Sequence, residues 1–217
     1  MLALKPQKAL LPIPSFYEYR QALESVGCQI SEILLKEDEA FCLQKRFVNE
    51  IPMDTDMVCL CNPNNPTGQL IDREVLEQVA DYCQKTDTCL LLDECFHDFL
   101  EEGSVHTLLP RVKENPKLFV LRAFTKMYGM AGLRLGYGIC SDTELIRRME
   151  QVTQPWNVSV PAQAAGIAAA REQEFVAVSR QMITEQKKLL LAGLEAAGAK
   201  VYGSAANYIF FPGSTGI

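Results

Sequence analysis

Phe124-Thr-Lys-Met-Tyr-Gly-Met-Ala-Gly-Leu-Arg-Leu-Gly136 is the stretch on which the reading of this chain turns. Lys126 and Arg134 are separated by a glycine-rich, largely apolar turn, a poor setting for two solvated cations. The pair suits a buried site where an amine forms an imine and a guanidinium holds a phosphate. Two segments upstream fit such a site. One is the turn Asn62-Pro-Asn-Asn-Pro-Thr-Gly68; the other is an apolar run ending in Leu91-Leu-Asp-Glu94.

Around these segments, short apolar runs alternate with longer amphipathic ones. Met57 to Cys61 reads as a strand running into the Asn/Pro turn. Thr88 to Asp93, Leu118 to Ala123 and Tyr137 to Cys140 read as three more, and Ala9-Leu-Leu-Pro-Ile-Pro14 as a strand entering the same sheet. Asp72 is a fitting N-cap, with Glu74 favoured in the first turn by the helix dipole. Val75, Leu76, Val79, Tyr82 and Cys83 then recur at helical spacing. Further helical patterns cover 142–151, 161–171 and about 172–197. Continuous apolar strands separated by helices predict an α/β fold, a mainly parallel sheet covered on both faces. Ligands of such sheets bind beyond the carboxyl ends of the strands, and each candidate residue lies at or just after such an end.

Beyond Gly198 the pattern changes. Lys200 to Gly203 and Asn207 to Phe211 read as two short strands with no helix after them, an unfinished unit. The expected organisation is a partial large domain over 1–171, then a linking helix and the start of a small α+β domain over 172–217. The chain reads as a piece of a larger enzyme, truncated at both ends.

Composition narrows the function. At 217 residues and 48% hydrophobic content the chain can build one substantial core. Its 21 basic and 27 acidic residues give a net charge of −6, which argues against a nucleic-acid surface. Of the eight cysteines, Cys59, Cys61, Cys89 and Cys140 lie in apolar strand-like runs, where free thiols behave as small hydrophobes. With two histidines and no CxxC pair, no metal site is expected. The amino terminus carries no apolar signal core, and the charge-free stretch from Gln151 to Ala170 is interrupted by Pro155, Asn157 and Pro161. A cytoplasmic protein without a membrane segment follows. No GxGxxG follows any strand, which disfavours a dinucleotide site.

The lysine–arginine run, the Asn/Pro turn and the strand-end acid together point to pyridoxal 5'-phosphate. In order they also resemble the class I/II aminotransferases of the aspartate aminotransferase fold. The resembling stretches include Asp93-Glu-Cys-Phe-His-Asp-Phe99, Val120-Leu-Arg-Ala-Phe-Thr-Lys-Met-Tyr128, Gln154-Pro-Trp-Asn-Val-Ser159 and Pro14-Ser-Phe-Tyr-Glu-Tyr19. Within that family the chain is most similar to the threonine-phosphate decarboxylase branch and the histidinol-phosphate aminotransferase group.

The resemblance implies a role for each candidate. Lys126 would bind the cofactor aldehyde and later move protons. Asp93 would keep the pyridine nitrogen protonated, so that the ring acts as an electron sink. Asn65 would donate to the ring oxygen, Arg134 and Thr125 would hold the phosphate, and Phe16 would stack on the ring. Gly132 and Gly136 would let the backbone pass close to neighbouring groups. Phe96 stands where many relatives have a tyrosine, and Ala123 where they have serine or threonine. The implied activity is decarboxylation of threonine phosphate, with amine transfer on a similar phosphorylated amino acid as the alternative and a non-catalytic fragment as a third reading. A homodimer is expected of a complete chain.

Overall fold

The computed structural model describes residues 1–212; the end of the 172–217 unit, residues 213–217, lies outside the described residues. Strands β1 (Lys8–Ile13), β2 (Gln29–Leu34), β3 (Met57–Cys61), β4 (Cys89–Asp93), β5 (Leu118–Ala123) and β6 (Gly136–Ile139) form one sheet in the order β2-β1-β3-β4-β5-β6. β1 to β5 pair in parallel, and β6 runs antiparallel to β5. The helices are α1 (Glu18–Glu24), α2 (Phe47–Glu50), α3 (Arg73–Lys85), α4 (Thr143–Val152), α5 (Val160–Ala169) and α6 (Gln173–Ala196). The mainly parallel α/β sheet expected from the sequence is the observed architecture.

Strand periodicity divides the core into two layers. Leu10, Val58, Leu60, Leu90, Leu92, Leu118 and Val120 face one side, against Phe47 of α2 and Val75, Leu76 and Val79 of α3. Ala9, Leu11, Met57, Cys59, Leu91 and Phe119 face the other, against Tyr19 and Leu23 of α1 and Leu145 of α4. Burial on both faces is why β3 and β4 are apolar without alternation. Side-chain caps set three helix starts: Asp72 accepts from Glu74 N at 2.8 Å, Asp142 from Leu145 N at 3.0 Å and Ser159 from Ala162 N at 3.3 Å. All eight cysteines are free. Among the described residues, no helix is long and apolar enough to cross a membrane.

Two segments depart from expectation. β2 has no apolar run to announce it, because in this edge strand only Ile30 and Ile33 are half-buried and the rest are exposed. The two strands expected within 200–211 do not form. One backbone bond, Tyr202 N to Phe210 O at 3.5 Å, joins that segment to itself. Its other polar groups are drawn elsewhere: Lys187 Nζ donates to the carbonyls of Ser204 and Ala206 at 2.8 and 2.9 Å. Ala205 N donates to Gly68 O at 2.8 Å, and the Tyr202 and Phe210 rings pack edge-on against Phe41. Docking onto the Asn/Pro turn wins over pairing.

Gly68 makes that docking sterically possible. Its φ is +69°, and a Cβ there would fall inside contact distance of Ser204 Oγ. Gly68→Ala should therefore lose about 1–3 kcal/mol, from the left-handed backbone together with the clash. Gly193→Ala, in an open position on α6, should instead be neutral or gain up to about 1 kcal/mol. Urea midpoints measure both; equal stability of the two variants would contradict the packing described.

Candidate functional site

At one edge of the sheet, the segments that leave β1, β3, β4 and β5 and the one that enters β6 enclose a cavity of about 300 Å3. That volume is at the lower end for small-molecule sites. Phe16, Asn65, Asp93, Thr125, Lys126 and Arg134 all line it. Arg134 arrives differently from the others. It precedes β6, and because β6 is antiparallel its amino end lies at the edge where the other strands finish.

Asp93 anchors the arrangement. It ends β4 at 8% exposure, and both its oxygens are engaged. Tyr19 Oη donates to Oδ2 at 2.6 Å, and the Cys95 backbone N–H donates to Oδ1 at 2.8 Å. A buried strand-end acid calls for a cationic partner; the protein supplies a phenol and an amide instead. Burial pushes the Tyr19 phenol well above its ordinary range, and neighbouring Cys61 and Asp93 push it further. Tyr19 therefore stays protonated and acts as a donor.

Asn65 is set apart from the other asparagines of its turn. Asn62 uses its side chain to hold the loop, accepting from Ile71 N at 2.9 Å and donating to His106 O at 3.0 Å. Asn64 donates to Pro14 O and Thr67 Oγ1 at 3.0 and 2.8 Å. Asn65 lines the cavity.

Lys126 and Arg134 are exposed, contrary to the expectation of a buried pair. Their loop joins the last two strands at the margin of the sheet. Lys126 Nζ sits over the Phe96 ring, 5.1 Å from its centroid, a cation–π distance. Phe96 is in turn held edge-on by Tyr208, with centroids 5.0 Å apart. Arg134 adopts a left-handed backbone at φ 54° that turns the chain into β6, and its guanidinium donates to Ala131 O at 2.9 Å. Of the two glycines expected to permit close approach, Gly136 does so, with Arg122 O 3.0 Å from a would-be Cβ. Gly132 has nothing within 4 Å; its place in an exposed turn leaves no neighbour to approach.

Glu94 points to the opposite face from Asp93, as strand alternation requires, and is 1% exposed. Arg122 reaches it at 2.6 Å, Thr107 donates to it at 2.8 Å and Leu108 N at 3.2 Å. Burial still pushes its carboxyl above the usual range, with Arg122 opposing. Tyr19, Cys95 and Arg122 all line the cavity, and none was singled out as a site residue in the sequence. The available signal for Tyr19 was its helical offset from Phe16.

His97, from the same turn, gives a pH test. Burial, with Arg122 and His106 nearby, pulls it from 6.5 down to about 3. The unfolded chain therefore binds this proton below about pH 6.5 while the folded chain refuses it until about pH 3, so stability falls as the pH drops through that window. His97→Gln should flatten this part of the profile. Urea unfolding at neutral pH and at about pH 5 checks it; the same pH loss in the variant would refute the assignment.

A family model described as aminotransferase class I and II matches residues 1–216. The chain is 35% identical over 207 residues to the threonine-phosphate decarboxylase of Salmonella typhimurium, covering 95% of this chain and 56% of that protein. It is 35% identical over 201 residues to the histidinol-phosphate aminotransferase of Shouchella clausii, covering 92% and 53%. Its fold is similar to the crystal structure of the histidinol-phosphate aminotransferase from Clostridium acetobutylicum, with a TM-score of 0.90 at 27% identity over 97% of this chain and 63% of that one. The chain thus spans about half the length of the curated relatives it matches.

Proposed function

Because this chain belongs to the aminotransferase class I and II family, whose members depend on pyridoxal 5'-phosphate, we propose that the cavity at the sheet edge seats that cofactor and that Lys126 is its covalent attachment point. One observation carries the reading: residues from five separate segments, 16 to 134, converge on one small cavity with the donor set this group needs. An amine, a buried carboxylate, a side-chain amide, a hydroxyl and a guanidinium are all there. The chemistry of that set fits the group.

When bound, the cofactor supplies an electron sink for the pair released at a substrate's Cα. Asp93 would hold a proton on the ring nitrogen, which would keep that sink open. Arg134 and Thr125 would hold the phosphate, Asn65 would donate to the ring oxygen, and Phe16 would cover one ring face. Lys126 Nζ would hold the cofactor aldehyde and, once freed, would stand where it can deliver a proton to Cα. Phe96 offers no hydroxyl to the ring oxygen, so Asn65 carries that contact.

Within the family we favour decarboxylation of L-threonine O-3-phosphate to (R)-1-aminopropan-2-yl phosphate, a reading supported by the likeness to the Salmonella protein, whose name is threonine-phosphate decarboxylase. In that reaction the Cα–carboxylate bond breaks, carbon dioxide leaves, the electron pair is shared with the sink, and a proton then takes the carboxylate's place on Cα. Histidinol-phosphate-type amine transfer is the second reading, supported by the 0.90 fold likeness to such an enzyme. Residues 1–171 then form the cofactor-binding part, and residues from 172 onward lead into a smaller unit. Two copies pair in the complete enzyme, which would close the exposed side of Lys126 and Arg134.

Borohydride reduction after incubation with the cofactor should leave a stable mass adduct on Lys126 that Lys126→Ala abolishes. Asp93→Asn should still form the adduct but weaken cofactor affinity about tenfold or more. A wild-type chain that stays colourless and unmodified would sink the reading and favour a non-catalytic fragment. Carbon dioxide release from threonine phosphate, against amine transfer to 2-oxoglutarate, separates the two reactions.

A further inference from the structure

Tyr19 lies at the start of α1, three residues after Phe16, and is 6% exposed. Its phenol bonds Asp93 at 2.6 Å, while its ring stands edge-on to Phe16 with centroids 5.6 Å apart and planes at 80°. Both partners line the cavity, as does Tyr19 itself. On its other side Tyr19 borders a second, mostly apolar cavity of about 390 Å3, which Phe16, Asp93 and Leu121 also line. The residue is thus part of the wall between the two spaces.

We infer that Tyr19 is a positioning residue. One helical turn fixes both the carboxylate that addresses the ring nitrogen and the aromatic ring that covers the pyridine face. The inference rests on the cofactor reading above and goes beyond it, because Tyr19 needs no contact with the cofactor to act. A carboxylate has a free rotation about its Cβ–Cγ bond. Here Tyr19 takes one oxygen and the Cys95 N–H takes the other, so the plane of the group is set before any ligand arrives. Such pre-organisation removes an ordering cost from binding.

The titratable groups that face the phenol are Asp93 and Cys61. Burial pushes Cys61 up to about 12, so at neutral pH it is an uncharged thiol. No cation on α1 competes for Asp93, since Arg20 is bonded to Glu24 and Glu32 on the outer surface.

A double-mutant cycle with Tyr19→Phe, Asp93→Asn and the double variant tests this, read by cofactor dissociation constant and by the absorbance band of the bound cofactor across pH. Tyr19→Phe should weaken cofactor binding about tenfold and move the pH midpoint of the band. In the Asp93→Asn background it should do neither, because the acceptor it positions is already changed. A second readout needs no cofactor: in the free protein, the Tyr19 ring carbon bearing the hydroxyl, followed by NMR, should titrate at lower pH in the Asp93→Asn variant. Tyr19→Phe binding as wild type does, or losing as much affinity in the Asp93→Asn background, would overturn the inference while leaving the cofactor reading intact. No cofactor uptake by the wild-type chain would overturn both, and the free-protein titration would then show whether the Tyr19–Asp93 coupling itself exists.

Discussion

A carboxylate at the end of a buried strand constrains everything near it. Removing such a charge from water costs several kcal/mol unless its lone pairs find donors. At Asp93 the donors are a phenol from α1 and an amide from the next turn, so the loop after β4 and the helix after β1 are tied together at one atom pair. One residue on, Glu94 faces the same demand on the other side of the sheet and meets it with Arg122, Thr107 and Leu108 N. Two adjacent acids thus organise two different networks, and strand alternation alone separates them. One faces the cavity; the other braces β4 against β5.

Much of this was legible in the sequence, for identifiable reasons. β3, β4 and β5 are buried on both faces, so their composition announces them, and their carboxyl ends carry the Asn/Pro turn, Asp93 and Lys126. The cap at Asp72 is a local signal and marks its helix start directly, whereas the Ser159 cap was not read from the sequence. Less visible was anything that depends on distant partners. The Tyr19–Asp93 bond spans 74 positions, and no periodicity encodes it. β2 escaped because an edge strand exposed on both faces lacks a continuous apolar run. The segment 200–211 misled for the opposite reason: its strand-like composition is real, but Lys187 and Gly68 capture the backbone groups that a ladder would have used. The exposure of Lys126 and Arg134 goes with their place in the loop that joins β5 to the edge strand β6, which composition does not report.

The antiparallel β6 explains how a residue upstream of a strand joins residues downstream of four others. A parallel sixth strand would place Arg134 at the far edge of the sheet, a strand's length from Lys126. Reversal of that one strand closes the loop 124–135 into a short hairpin-like excursion, with Phe124 N bonded to Leu135 O at 3.1 Å at its base. The amine and the guanidinium are then neighbours by topology rather than by chance packing.

Phe96 is sandwiched between the Lys126 ammonium and the Tyr208 ring. Tyr208 belongs to the irregular tail and is hooked to the Asn/Pro turn through Asn64 O at 2.8 Å. The tail, the turn and the amine are therefore linked like parts of a lever whose fulcrum is a single benzene ring. A shift at the far end, under a fused tag or a neighbouring domain, would be felt at that ring and at the electrostatic cushion beneath the nitrogen, and through Asn64 beside Asn65 as well.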